Sequence, residues 1–252
     1  MRRALDRVWL RQLAVLVVFL ALWELAGRAG LLNPLYVPRP SAVAAVLLEL
    51  FGSGTIWPHL VATFSAAMAG LLLGLAVGIV LGIVAALVPF VAEIVEPFMI
   101  LLNAVPRVVL APLFVIWFGI DLGSKIALAF ILVAVLIFFT VYTGIRQVDR
   151  RLVERVVTLG GGRGALLREV YLPSLVAWIL GQLKVAVGFA FTGAVVGEFV
   201  AASRGLGYLL SFAQSTYNAA LMLALVLLIV AFVLLIFALA GRLERRLLRW
   251  RG

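Results

Sequence analysis

The stretch Arg150–Pro173, RRLVERVVTLGGGRGALLREVYLP, is a polar, arginine-rich island in an otherwise oily chain. Long apolar runs flank it on both sides, so it must lie outside the lipid. From Arg150 to Leu159 the residues have the spacing of a short helix whose apolar face includes Leu152, Val156 and Leu159. The cluster Gly160, Gly161 and Gly162 then ends that helix, because glycine tolerates positive φ and a sharp change of direction. A second short helix is predicted through Leu166, Leu167 and Val170, with Pro173 opening the next apolar run near its first turn. The expected result is a compact helix–turn–helix on the membrane surface that exposes Arg151, Glu154, Arg155, Arg163 and Arg168. An amphipathic basic helix resting on lipid headgroups is the competing reading.

Composition points the same way. The 252 residues are 65% hydrophobic and only 13% charged, whereas a soluble domain carries about 25% charge. Apolar runs of membrane-crossing length recur, so the chain reads as an all-α, multi-span membrane protein. The alternating segments of an outer-membrane barrel are missing. The formal charge is +10, but arginine supplies 19 of the 21 basic residues and most cluster between apolar runs. No soluble basic domain is left over to hold nucleic acid. There is no cysteine, which excludes disulfides and cysteine metal sites. The N-terminus resembles a signal peptide, yet its apolar run leads into Trp23 and Glu24 without a small-residue cleavage site. It is therefore expected to stay as the first span.

About six spans follow in order. Span one runs from Leu13 to Ala26, behind a basic collar of Arg2, Arg3, Arg7 and Arg11. Next come an extended segment at Asn33–Ser41, held out of helix by Pro34, Pro38 and Pro40, and a short surface piece at Ala42–Leu50. Span two, Trp57–Val88, carries Gly70, Gly74, Gly78 and Gly82 on one face, suited to close approach of a helix in the same chain or in a second subunit. Span three, Ile94–Phe118, is interrupted by Pro97, Pro106 and Pro112 and holds Asn103 and Arg107 at mid-length. A guanidinium at that depth is costly unless it faces a cavity or a paired group. Arg107 therefore either lines a solute pathway or pairs with Glu93 or Glu96. Span four covers Lys125–Thr143, and span five, Leu175–Phe199, contains Gln182, Lys184, Thr192 and Glu198. Residues 200–216 are too short and polar to cross and read as a re-entrant or interfacial helix. Span six, Tyr217–Ala240, ends in a basic tail.

With both termini cytoplasmic, the inner side holds fifteen basic residues against four outside, Arg28, Arg39, Lys125 and Arg204. The positive-inside bias selects that orientation and puts the Arg150–Pro173 island in the cytoplasm. Two glycine patterns, Gly119–Lys125 and Gly160–Gly164, lack the spacing or the strand–loop–helix setting of a phosphate loop. His59 is the single histidine, so histidine-based metal clusters and triads are excluded. The chain is expected to be no enzyme and to hold no cofactor or metal of its own.

The island resembles the signature of inner-membrane permease subunits of ATP-binding cassette importers: Glu-Ala-Ala, three residues, Gly, nine residues, Ile-x-Leu-Pro. Here it falls on Glu154-Arg155-Val156, Gly160 and Val170-Tyr171-Leu172-Pro173, with every spacing kept and the alanines and isoleucine replaced. Val37–Val43, Leu101–Ile120 and Gly193–Leu210 are similar to the nitrate, sulfonate and taurine branch, and riboflavin and thiamine-precursor systems have similar permeases.

The resemblance implies a permease subunit in a bacterial or archaeal inner membrane, passing a small anionic or polar solute. Residues 1–56 would be the collar, first span and outer loop, 57–241 the permease core, and 242–252 the tail. The island becomes a coupling helix between spans four and five, seated on a cytoplasmic ATPase that binds the ATP. Glu154, Arg155, Gly160, Arg163, Leu172 and Pro173 would make that contact. Asn103, Arg107, Lys184, Thr192 and Glu198 are the pathway candidates. Further implied partners are a periplasmic or lipid-anchored solute-binding protein and a second copy of the chain, as a homodimer. The alternative, a self-contained secondary transporter or channel, would need coupling-ion residues and commonly inverted repeats. Only Glu24, Lys184 and Glu198 qualify as ionisable candidates, and no repeat is evident. A membrane scaffold would not require the proline-broken span.

Overall fold

Lipid cannot satisfy a backbone N–H or C=O, so each apolar run pairs its own backbone as helix. The computed structural model describes residues 2–247, and among them every regular element is helical. The helices are α1 (Arg2–Arg28), α2 (Pro40–Gly52), α3 (Ile56–Leu87), α4 (Pro89–Ala104), α5 (Ala111–Phe118), α6 (Leu122–Arg146), α7 (Arg150–Thr158), α8 (Arg163–Leu166), α9 (Leu172–Val200), α10 (Leu206–Ser215) and α11 (Ala219–Leu247). By length and composition α1, α3, α6, α9 and α11 can each cross a membrane. The pair α4 and α5 is apolar enough together to make a sixth, but it is bent by 95°, as in a broken crossing or a re-entrant loop.

The break is more local than three prolines suggest. Pro97 stays inside α4 and Pro112 sits in the first turn of α5, where its missing N–H is no loss. The chain changes direction only at Val105 and Pro106, both extended, before a 3-10 turn at Arg107–Leu110. The side chain of Arg107 lies outside the described residues.

At the centre stands α6, with Leu128, Val133, Ile137, Phe138 and Val141 fully buried. Apolar side chains gain little by leaving lipid for protein, so close packing of small residues must hold the helices. Gly70, Gly74, Gly78 and Gly82 provide it from α3. A Cβ at Gly70 would lie 2.4 Å from that of Ala129, and one at Gly82 would lie 2.8 Å from that of Val141. The glycine face is therefore taken up within the chain, by α6. Beside α3, α9 approaches through Gly193, where a Cβ would come within 2.6 Å of the Ala129 Cα. Ala186, Ala190 and Ala194 of α9 are fully buried alongside.

The first span is peripheral, and its exposed leucines and valines suit a lipid-facing helix. One polar link ties it down. Glu24 pairs with Arg28 (Nε to Oε1, 2.8 Å) and accepts from the Ser41 N–H (3.1 Å) and hydroxyl (2.9 Å). The residue preceding α2, Arg39, offers no side-chain cap, so Glu24 supplies one from another helix.

Candidate functional site

Three places combine polar chemistry with a defined position: the exposed link between α6 and α9, the cleft beside it, and the far end of the bundle where α10 is seated.

The link begins at Asp149, whose Oδ1 accepts from the Arg151 N–H at 2.9 Å and caps α7. Gly160, at φ +82°, ends the helix, with open space where a Cβ would stand. No residue of α7 is buried. Leu159 is 82% exposed and Val157 55%, and Leu152 is also exposed, so apolar side chains stand uncovered on a charged helix. Glu154 meets Arg150 at 3.2 Å, but both side chains are exposed and the pair contributes little. Arg155 and Leu172 are exposed and Pro173 half-buried. The side chain of Arg163 lies outside the described residues.

One expectation is corrected here. The second helix of the island is no separate element, because α8 runs through a π turn at Leu167–Tyr171 directly into α9. The Leu172 N–H reaches back to the Leu167 carbonyl. Pro173 has no N–H to give the preceding turn, and a wider turn absorbs the loss without ending the helix.

Beside the link, a cleft of about 590 Å³ opens between the end of α4, the last turns of α6 and the early turns of α9. Asn103, Thr140, Thr143, Gln147, Trp178 and Gln182 are among its lining residues. The two threonine hydroxyls donate to the Leu136 and Phe139 carbonyls one turn back. Gly144 lets Trp178 lie against α6, since a Cβ there would collide with the indole ring. At Gly181 no atom lies within 4 Å of where a Cβ would stand. Close by, the Tyr142 hydroxyl donates to Glu96 at 2.7 Å and accepts from Arg146, tying α4 to α6.

Among the pathway candidates whose side chains are described, Asn103 alone belongs to this cleft. Lys184 and Thr192 lie further along α9, half-buried and exposed respectively, with the Thr192 hydroxyl donating to the Gly188 carbonyl. Glu198 is at the opposite end of α9. The lining threonines escaped the sequence reading, although Thr140, Thr143 and Gln147 fall at i, i+3 and i+7 on one helix face.

At that far end Glu198 is only 2% exposed. Its Oε2 accepts from the Thr63 hydroxyl (2.8 Å) and the Gly207 N–H (2.9 Å). Thr63 Oγ1 accepts in turn from the Leu206 N–H (2.9 Å), and His59 Nδ1 from the Gly205 N–H (3.1 Å). Three successive N–H groups at the start of α10 are thus satisfied by three side chains from α3 and α9. Gly205 and Gly207 fit because a Cβ on either would strike Glu198. Residues 200–216 therefore form a short, packed helix, with Leu206 and Ala213 buried against Ile56 and Leu225. Lys125, counted on the outer side of the membrane by its position in sequence, is only 4% exposed. Its ammonium donates to the Ile120 and Asp121 carbonyls. Lys125 and Glu198 share a cavity of about 380 Å³ with Asp121 and Arg204.

Helices long and apolar enough to cross a membrane, a polar cleft between them and an uncovered amphipathic helix beside it suit a solute permease that works with other subunits. Comparison with known proteins makes this specific. Residues 78–249 match the family described as binding-protein-dependent transport system inner membrane component, and the chain belongs to that family. It is 36% identical to the riboflavin transport system permease protein RibX of Chloroflexus aurantiacus, over 94% of this chain and 88% of that one. Identity is 32% to the taurine transport system permease protein TauC of Escherichia coli, over 100% and 93%. It is 31% to the formylaminopyrimidine transport permease protein ThiX of Halalkalibacterium halodurans, over 93% of each. The fold is shared with a chain of an amino acid ABC transporter (TM-score 0.65, 17% identity, 79% of this chain and 97% of that one). It is also shared with the MetNI methionine ABC transporter (TM-score 0.58, 24% identity, 76% and 93%). The protein is thus a multi-pass inner-membrane permease subunit of an ATP-binding cassette importer, a transport component whose family works with an ATPase and a binding protein.

Proposed function

We propose that α7 is the contact through which a separate cytoplasmic ATPase moves the two helices that wall the cleft. One observation carries this reading. The exposed link connects the end of α6 to the start of α9, and those same two ends line the cleft. A push on α7 therefore acts on both cleft walls. Its uncovered Leu152, Val157 and Leu159 supply an apolar surface for a groove on the partner, with Glu154 and Arg155 as polar contacts at its edge. Gly160 sets the angle at which α7 leaves, and Leu172 and Pro173 begin the helix it drives.

In this reading both termini and α7 face the cytoplasm, as the arginine distribution favours. Asn103 and Arg107, at the bend of the broken crossing, border the pathway. ATP binds to the partner, and no cofactor is required on this chain. Two copies assemble around the pathway, because polar side chains along an open cleft would be costly against lipid. A binding protein delivers a small polar solute; the relatives are named for riboflavin, taurine and formylaminopyrimidine.

The test is transport by the assembled importer in vesicles. Gly160→Val and Glu154→Lys should each lower uptake and solute-stimulated ATP hydrolysis at least tenfold while the chain still inserts. Normal uptake with normal stimulation in both variants would remove α7 from the coupling role.

A further inference from the structure

We infer that the cleft between α6 and α9 is a binding station for an uncharged, planar ring carrying amide or imide groups, and that it disfavours small anions. The inference rests on the reading of this cleft as part of the pathway and names the chemistry it accepts.

The first ground is charge. Among the described residues none that lines the cleft is charged. An anion entering it would give up water and meet no cation among those lining residues, at high cost. The far-end cavity, with Lys125 and Arg204, shows that this chain does place cations beside a cavity elsewhere. Anionic preference was expected from Arg107 alone, and the lining residues do not extend it.

Hydrogen-bonding capacity is the second ground. The Thr140 and Thr143 hydroxyls spend their protons on the carbonyls of Leu136 and Phe139, so toward a solute their oxygens can only accept. Acceptor oxygens repel a sulfonate or nitrate but receive the N–H of an imide or lactam. The amides of Gln147 and Gln182 both donate and accept, as the alternating N–H and C=O edge of such a ring requires.

Shape is the third. Trp178 is pinned against α6 where Gly144 has no side chain, giving a flat apolar ring in a fixed place. Gly181 leaves room in the same wall. A volume of about 590 Å³ falls within the range of roughly 300–1,000 Å³ typical of sites for organic ligands. Nitrate or taurine would leave most of it empty.

Riboflavin, neutral and tricyclic with an imide edge, and taurine, small and carrying an anionic sulfonate beside its ammonium, are contrasting probes. Methanesulfonate, the plain anion, is run beside taurine and is expected to behave as it does. The full chain in lipid nanodiscs is dialysed to equilibrium against each radiolabelled compound. Saturable retention of riboflavin is expected, reduced at least tenfold by Gly181→Val, which fills the cleft without striking the protein, and by Trp178→Ala, which removes the ring. Taurine should neither be retained nor displace riboflavin. Absence of saturable riboflavin retention, retention unchanged in both variants, or displacement by taurine would each overturn the inference. Gly160→Val separates this from the coupling reading: it should abolish driven uptake and leave riboflavin retention intact. Normal uptake in that variant would sink the coupling role alone.

Discussion

The two ends of the bundle are built on opposite principles. At the α10 end, Glu198, Thr63 and His59 bind three consecutive backbone N–H groups, and Lys125 is enclosed against two carbonyls. Every polar group named there has its partner inside the chain. At the α7 end the polar and apolar groups of the link face outward, with no residue of α7 buried. A buried polar network tolerates few alternative arrangements, because moving one member strands the others. An exposed helix has no such restriction. One end is thus fixed by its own side chains, and the other awaits a surface supplied from outside.

The sharpest way to break this contrast is Glu198→Leu. It strands the Gly207 N–H and the Thr63 hydroxyl in a buried site, and a loss of about 3 kcal/mol is expected. Unfolding of the purified chain followed by tryptophan emission would measure it, and an unchanged midpoint would mean the network is not what holds α10. Thr63→Val keeps the side-chain shape but removes the acceptor for the Leu206 N–H and the donor to Glu198. A smaller loss of about 1.5 kcal/mol is expected in the same measurement. The smallest stability effect belongs to the opposite end: Leu159→Ser should shift unfolding by less than about 0.5 kcal/mol, as for an exposed position. Recovery of the ATPase with the purified chain should nonetheless fall several-fold. Destabilisation comparable to Thr63→Val would mean that α7 packs on its own chain.

What could be read from sequence follows the reach of the interactions. The crossings were legible because hydrophobic length is a local property, and α7 because its period and its closing glycines lie within a dozen residues. The resemblance of residues 154–173 to the importer signature identified the family. The role of residues 200–216 was left open, since the partners of α10 come from His59 and Thr63, more than a hundred residues away. For the same reason the cleft was not assembled: Asn103, Thr140 and Gln182 reach it from three helices. The burial of Lys125 was not legible either, because the Ile120 and Asp121 carbonyls that seat its ammonium form that pocket only once α6 begins. The proline-based expectation of a break failed at Pro97, which stays inside α4. Pro173 does stand in the first turn of α9, but a wider turn before it accommodates the missing N–H instead of stopping the helix.

That accommodation at Pro173 has a mechanical consequence. Because the π turn does not interrupt it, helix runs unbroken over the 37 residues from Gly164 to Val200. At 1.5 Å per residue it is about 55 Å long, well beyond a hydrocarbon core of about 30 Å. Its near end adjoins α7, its middle carries Gln182 into the cleft, and its last two turns are wedged against α6 at Gly193 and bear Glu198. That is a lever with a fulcrum: a tilt imposed at one membrane face swings the other end the opposite way. The seat of α10 lies on the short side of that pivot, tied to α3 by Thr63 and His59 as well as to α9 by Glu198.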